Sequence, residues 1–192
     1  MLNSHRSELQ RSATAPEIAS AGMSIGEFDL IDQNGEPVDE TILDGAHTVV
    51  SFIFTNCPGL CPTMTQAKAR LQDRVDDLPV RMLSISLDAE RDTPAVLSAF
   101  GERFNARFDS WTFATGDTAE ARRIVAEDLL LVVEDETERM VPTADGSEMA
   151  NILHPTRLIL VGPGREILGF YSVLDASGLD SLEDELRSRL GS

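Results

Sequence analysis

The chain has 192 residues, 42% of them hydrophobic, which is enough for the core of a single domain and excludes a disordered polymer. Its 16 basic and 33 acidic residues leave a net charge of −17. A surface that negative repels phosphate backbones and anionic lipid, so no nucleic-acid partner and no peripheral membrane attachment are expected.

Residues 1–24 are polar, rich in alanine and serine and without sustained periodicity, and read as a mobile tail preceding a domain over residues 25–192. No run of about 18 apolar residues is present, so no membrane span is predicted. The first residues also lack the apolar stretch of a signal peptide. A cytoplasmic protein and one whose anchor segment is missing from the sequence both fit.

From Gly26 the pattern changes. Phe28, Leu30 and Val38 flank Asn34-Gly35, a strong hairpin signal. Val49 to Phe54 is a nearly continuous apolar run, as in a strand buried on both faces. Met64, Ala67, Leu71 and Val75 then recur at helical spacing. A second strand fits Val80 to Leu87. Asp92-Thr93-Pro94 reads as a helix start, with Thr93 as N-cap and Pro94 in the first helical position.

That helix is predicted to run to about Phe104, followed by a short strand at Trp111 to Phe113 and a helix from Thr118 to Leu129. The acidic stretch Glu134 to Asn151, with Pro142 and Asp145-Gly146 as turn signals, reads as an inserted exposed loop or hairpin. Leu158 to Val161 and Ile167 to Tyr171 form an antiparallel pair across Gly162-Pro163-Gly164. Leu179, Leu182, Leu186 and Leu190 mark the buried face of a closing helix. Alternating strands and helices imply an α/β fold with a parallel central sheet, made mixed by the late strand pair.

Only two cysteines occur, Cys57 and Cys61, in a chain too large to need a disulfide staple. That points to chemistry at the pair. They follow the most buried strand and lead into a helix, the position where open α/β sheets build sites. Both precede a proline, which favours extended geometry. Pro62 suits the first helical position, placing Cys61 at the amino end, where the helix dipole favours a thiolate. Gly59 gives the loop freedom to turn both sulfurs to one point.

Helical residues four apart lie roughly 5–6 Å from each other, wide for a disulfide but comfortable for two thiolates on one metal. A bent loop would still allow a disulfide. A third ligand is wanted, and the chain offers His5, His47 and His154. His154 directly precedes the strand at Leu158, whose loop would face the cysteine loop in a thioredoxin-like topology. Two thiolates and an imidazole suit copper, whereas structural zinc would want a fourth protein ligand. Met64 belongs to a buried helical stripe, and Met149 reads as exposed in the polar loop. Asp88 reads either as a neighbour of the site or as loop chemistry.

Three separated motifs then resemble the Sco/SenC family. They are Thr55-x-Cys57-Pro58-x-x-Cys61-Pro62, the segment Ser86 to Pro94, and His154 followed by Leu158 to Glu166. The resemblance implies a thioredoxin fold and copper, as Cu(I) or Cu(II), held by Cys57, Cys61 and His154. It also implies a role in assembling the copper centre of cytochrome c oxidase, whose copper-acceptor subunit would be the partner. Family members usually sit in the periplasm or the mitochondrial intermembrane space behind a membrane anchor. This chain departs from the family in Gly59 and Leu153, where many relatives carry acidic residues, and in lacking that anchor.

Two functions compete on these grounds. One is a copper chaperone whose cysteine pair switches by oxidation. The other is a thiol–disulfide oxidoreductase using the redox pair Cys57 and Cys61. A peroxiredoxin-like peroxidase and a redox or copper sensor stand behind them.

Overall fold

A computed structural model describes residues 22–57, 59–143, 146–174 and 176–191. His5, Pro58, Asp145 and most of the expected tail lie outside the described residues. Met23 and Ser24, which the sequence assigned to that tail, run beside the sheet: the Ile167 amide donates to the Met23 carbonyl at 2.9 Å, and Ser24 bridges Glu166.

The elements follow in the order read from the pattern. Strands β1 (Asp29–Asp32) and β2 (Pro37–Asp39) form the hairpin about Gly35, whose φ of 83° requires glycine. Next come β3 (His47–Ile53), α1 (Leu60–Arg74), β4 (Val80–Ser86), α2 (Pro94–Arg103), β5 (Trp111–Gly116) and α3 (Thr118–Arg123). The acidic insertion is a hairpin of β6 (Glu134–Pro142) and β7 (Glu148–Leu153), and β8 (Arg157–Val161), β9 (Ile167–Ser172) and α4 (Ala176–Leu190) complete the fold. Thr93 caps α2 by accepting from the Val96 amide, with Pro94 in the first turn.

The main sheet has seven strands in the order β2-β1-β5-β4-β3-β8-β9. Strands β3, β4 and β5 are parallel, whereas β8 is antiparallel to β3 and β1 is antiparallel to β5. The arrangement is a thioredoxin-like α/β fold with a mixed sheet. The N-terminal hairpin thus closes the far edge of the same sheet instead of standing apart. Strand β3 is central, and Val49, Val50, Phe52 and Ile53 are all buried, which explains its unbroken apolar run.

Trp111 and Phe113, two apart on β5, point to one face. Lys68 of α1 lies 5.2 Å from the Trp111 ring centre, and Phe100 of α2 meets Phe113 edge-on, so α1 and α2 cover that face together. Helix α4 lies beside α1, where Arg74 reaches Asp180 at 2.7 Å. The sequence predicts one α-helix from Thr118 to Leu129. The structure widens it to a π-helix over Ile124–Asp128, with Leu130 beyond it at φ 51°. The wider turn keeps Ile124, Val125 and Leu129 all buried.

Candidate metal centre

Strand β3 ends in a tight turn, closed where the Cys57 amide donates to the Phe54 carbonyl at 3.1 Å. Helix α1 begins at Leu60, earlier than the Pro62 start that the sequence favours. Amides of a first helical turn have no partner within the helix, so a proline is tolerated at any of these positions. Cys61 therefore lies inside the first turn, and Cys57 lies outside the helix. The helical spacing argument against a disulfide does not apply to this pair. Gly59 has φ −140° and an open surrounding, so no strain requires glycine there.

The structure brings Cys57, Cys61 and His154 together. One ligand atom from each lies within 4.8 Å of the others. His154 Nε2 is 3.2 Å from Cys61 Sγ, and the Cys61 amide approaches Cys57 Sγ at 3.5 Å. Both cysteines are free. His154 occupies the short link between β7 and β8, and its ring meets Phe54 edge-on at 5.5 Å.

The sequence placed the thiolate at Cys61, and the structure reverses that assignment. The Cys61 thiol donates to Cys57, and His154 and the amides of Cys61 and Gly59 add to it. Together they outweigh burial and hold the Cys57 thiol down to about 3. Cys61 is pushed far up by its hydrogen bond to Cys57, by burial and by the Cys57 charge. One half-buried thiolate therefore sits beside one buried thiol.

His154 is oriented through its other nitrogen. Nδ1 lies 3.0 Å from the Pro155 carbonyl oxygen, which can only accept, so Nδ1 carries a proton. Nε2 then faces the sulfurs. It donates to them when the ring is charged and presents a lone pair when the ring is neutral. Two sulfurs and this nitrogen form the donor set that suits copper.

A cleft of about 280 Å³ opens onto the group, lined by Cys57, Leu60, Glu136, Asn151, Leu153 and His154. Its far wall is the β6–β7 hairpin, so the acidic insertion is the roof of the site. Leu60 and Leu153 are exposed at its rim.

The remaining candidates separate from this cluster. Met64 is buried in the core, as its stripe predicts. Met149 is buried too, contrary to expectation, because strand alternation on β7 turns it inward beside Val141. It lines a second cavity with Asp88 and Arg122. Asp88 is buried and pairs with Arg91 at 2.9 Å, outside the metal-capable group. His47 begins β3, at the opposite end of that strand from Cys57, and is partly buried.

Sequence reasoning missed Asp92, which it treated only as part of a helix start. Asp92 is fully buried and accepts from the Thr55 amide at 3.0 Å, the Thr55 hydroxyl at 2.5 Å and the Ser86 hydroxyl at 2.6 Å. It ties the cysteine turn to the end of β4. The available signal was that Thr93 suffices as the cap, leaving Asp92 without a task.

Comparison with known proteins gives a consistent picture. The family model described as SCO1/SenC matches residues 17–188. The SCO1 protein homolog of Bacillus subtilis is 28% identical over 164 residues, covering 84% of this chain and 80% of that protein. The solved structure of BsSco, described as a Sco-family cytochrome c oxidase assembly protein with a disulfide switch, is 26% identical. It superposes with a TM-score of 0.73 over 91% of this chain and 95% of that one. Copper-bound ScoI of Arabidopsis thaliana is 25% identical, with a TM-score of 0.69 over 87% and 97% of the two chains.

Proposed function

This chain belongs to the SCO1/SenC family, and we propose that it is a copper chaperone in which Cys57, Cys61 and His154 hold one copper ion for an acceptor. The observation carrying this reading is the convergence of two sulfurs and an oriented imidazole within 4.8 Å at the floor of an open cleft. The acceptor is the copper-binding subunit of cytochrome c oxidase, supported by the assembly role stated for BsSco. An extracytoplasmic, membrane-anchored setting follows from the same family. Among the described residues no helix is long and apolar enough to cross a membrane.

The residues divide the work. Cys57 is already a thiolate and is half-exposed, so it is the ligand that an incoming thiolate displaces first. Cys61 gives up a proton when it ligates, which makes loading release protons. The Pro155 carbonyl keeps the His154 ring turned with Nε2 inward. Transfer is then stepwise ligand exchange, with no net redox change.

A second reading is favoured by the asymmetry of the cysteines. As a thiol–disulfide oxidoreductase, Cys57 attacks a partner disulfide and releases one partner thiolate. Cys61 then loses its proton, attacks the mixed disulfide and frees the other, leaving the Cys57–Cys61 disulfide. The partner gains two electrons and this pair loses two.

Anaerobic titration of the reduced protein with copper, beside His154→Ala, tests the first reading. One equivalent bound, with sulfur-to-copper charge-transfer bands for Cu(II) that vanish in the variant, is the expected result. No stoichiometric binding by fully reduced protein overturns it and leaves disulfide exchange as the function.

A further inference from the structure

Cys57 and His154 line the cleft over the candidate metal centre, whereas Cys61 is fully buried. A group arriving from solvent therefore meets Cys57 before the other sulfur. The lips it passes are apolar. Leu60, 45% exposed, opens α1 one residue before Cys61, and Leu153, 40% exposed, closes β7 one residue before His154. The backbone that places each of these two ligands thus also places a lip.

The fold requires neither exposed leucine. On β7, strand alternation buries Ile152 and turns Leu153 outward, where a polar residue would serve the strand as well. At α1, the Gly59 N-cap makes no side-chain hydrogen bond, and a first-turn leucine adds nothing to capping. Single exposed leucines are ordinary, but two meeting at one cleft beside an accessible sulfur mark an interaction site.

The polar lining is already committed. Glu136 accepts from the Asn151 amide group, and Arg139 lies 3.8 Å from Glu136. Their charges cancel, so apart from the ligands themselves the lining is neutral, in a chain of net charge −17. Acidity begins outside the cleft, where the exposed Glu134 stands opposite Leu153 on the hairpin.

We propose that Leu60 and Leu153 select the partner: they dock a cysteine flanked by apolar side chains, in a segment without acidic residues. This deepens the function proposed above and rests on it only in that a partner sulfur comes to Cys57, which copper transfer and disulfide exchange both require. Contact with the lips is short-range and persists in salt. The attraction of the whole chain for basic groups is a separate, long-range effect that salt screens.

Methanethiosulfonate reagents test the selection on reduced, metal-free protein. The Cys57 thiolate attacks the sulfur that bears the reagent's tail. A new S–S bond forms, and methanesulfinate leaves with the electron pair of the broken one. Rates for methyl, hexyl, sulfonatoethyl and trimethylammonioethyl tails are read by quenched mass spectrometry and normalised to glutathione. They are measured at low salt and at about 1 M salt, where the screening length is roughly 3 Å.

In the wild type the hexyl reagent outruns the methyl one about tenfold at both salt levels, the effect of withdrawing roughly two methylenes from water. Leu60→Gln and Leu153→Thr, both neutral, each lower that ratio severalfold, and the double variant brings it close to one. The sulfonate is slowest at low salt. The proposal is overturned if the wild-type ratio is already close to one, or if the double variant keeps it. It is equally overturned if the cationic reagent outruns the hexyl one at high salt, which would make the mouth a site for basic segments. Because no metal is present, failure here leaves the copper reading standing, and a protein that binds no copper leaves this selection to be read from the thiol reaction alone.

Discussion

His154 Nε2 lies 3.2 Å from Cys61 Sγ across a sequence separation of 93 residues, and its Nδ1 is held by the carbonyl of the next residue, Pro155. The ring is therefore aimed before any ligand arrives. Nitrogen-15 NMR of the reduced, metal-free protein should show the neutral ring as the Nδ1-protonated tautomer. An Nε2-protonated ring would mean that His154 cannot present its lone pair without turning over.

The cysteines should differ sharply in reactivity. Cys57 is a half-exposed thiolate from about pH 3 upward, and Cys61 is a buried thiol. Iodoacetamide, followed by peptide mass spectrometry, should label Cys57 at pH 6 far faster than Cys61. Its rate should stay flat between pH 5 and pH 8, where an ordinary thiol gains about tenfold per pH unit. A rate that climbs through that range would contradict a lowered Cys57 value.

The same shift makes stability depend on pH. Unfolded Cys57 keeps its proton up to an ordinary value of 9.0, whereas folded Cys57 loses it at about 3. Between these values the unfolded state binds more protons, so the stabilisation is full above pH 9 and is lost as pH falls toward 3. In urea titrations of reduced, metal-free protein, the advantage of wild type over Cys57→Ser should grow from pH 5 to pH 8. An advantage that shrinks over that range would reverse the sign.

Lys68 should show a related effect from inside the core. Its Nζ is fully buried against the Leu83 carbonyl at 2.6 Å and the hydroxyls of Ser51 and Ser84, without a carboxylate, and burial holds its pKa well below the usual lysine value. Folding therefore costs more as pH falls. Lys68→Met should flatten that slope at little cost near pH 9, because Ser51 and Ser84 still bond each other at 3.0 Å. Lys68→Ala should lose about 2–4 kcal/mol to the cavity. Urea unfolding at pH 6 and pH 9 distinguishes the two variants.

Packing of α4 depends on Gly178. A Cβ there would lie 2.0 Å from the Ser172 carbonyl oxygen at the end of β9. Backbone cannot yield as a side chain does, so Gly178→Ala should cost about 1–3 kcal/mol or more. At Gly101 the close atoms belong to the rings of Phe108 and Phe113, the nearest at 2.7 Å, and Gly101→Ala should cost less because rings can turn. Thermal unfolding of both variants checks the order.

Periodicity made most of the fold legible. The run from Val49 to Phe54 announced β3 because its central place leaves no face for polar residues. The Thr93-Pro94 start of α2 was legible because capping is local. The pairing of β1 with β5 was not, since no local pattern records which edge a hairpin will close. Cys57, Cys61 and His154 could be nominated by residue type, and the family motifs raised His154 above the other histidines. The division of charge between the cysteines was hidden, because it depends on one hydrogen bond and on the depth of each sulfur. Asp92 was hidden for a similar reason: its partners, Thr55 and Ser86, lie on two other segments.

The pairing of Leu30 with Gly116 also sets a timetable for synthesis. A ribosome adding about 5–20 residues per second releases β1 several seconds before β5 exists. During that interval Phe28 and Leu30, both buried in the finished protein, have no sheet to cover them. Asp29, Asp32, Glu36 and Asp39 punctuate this apolar segment, and such charges discourage a waiting strand from pairing with a neighbouring nascent chain. Part of the acidity at this end of the molecule thus protects the seconds of synthesis more than the folded lifetime.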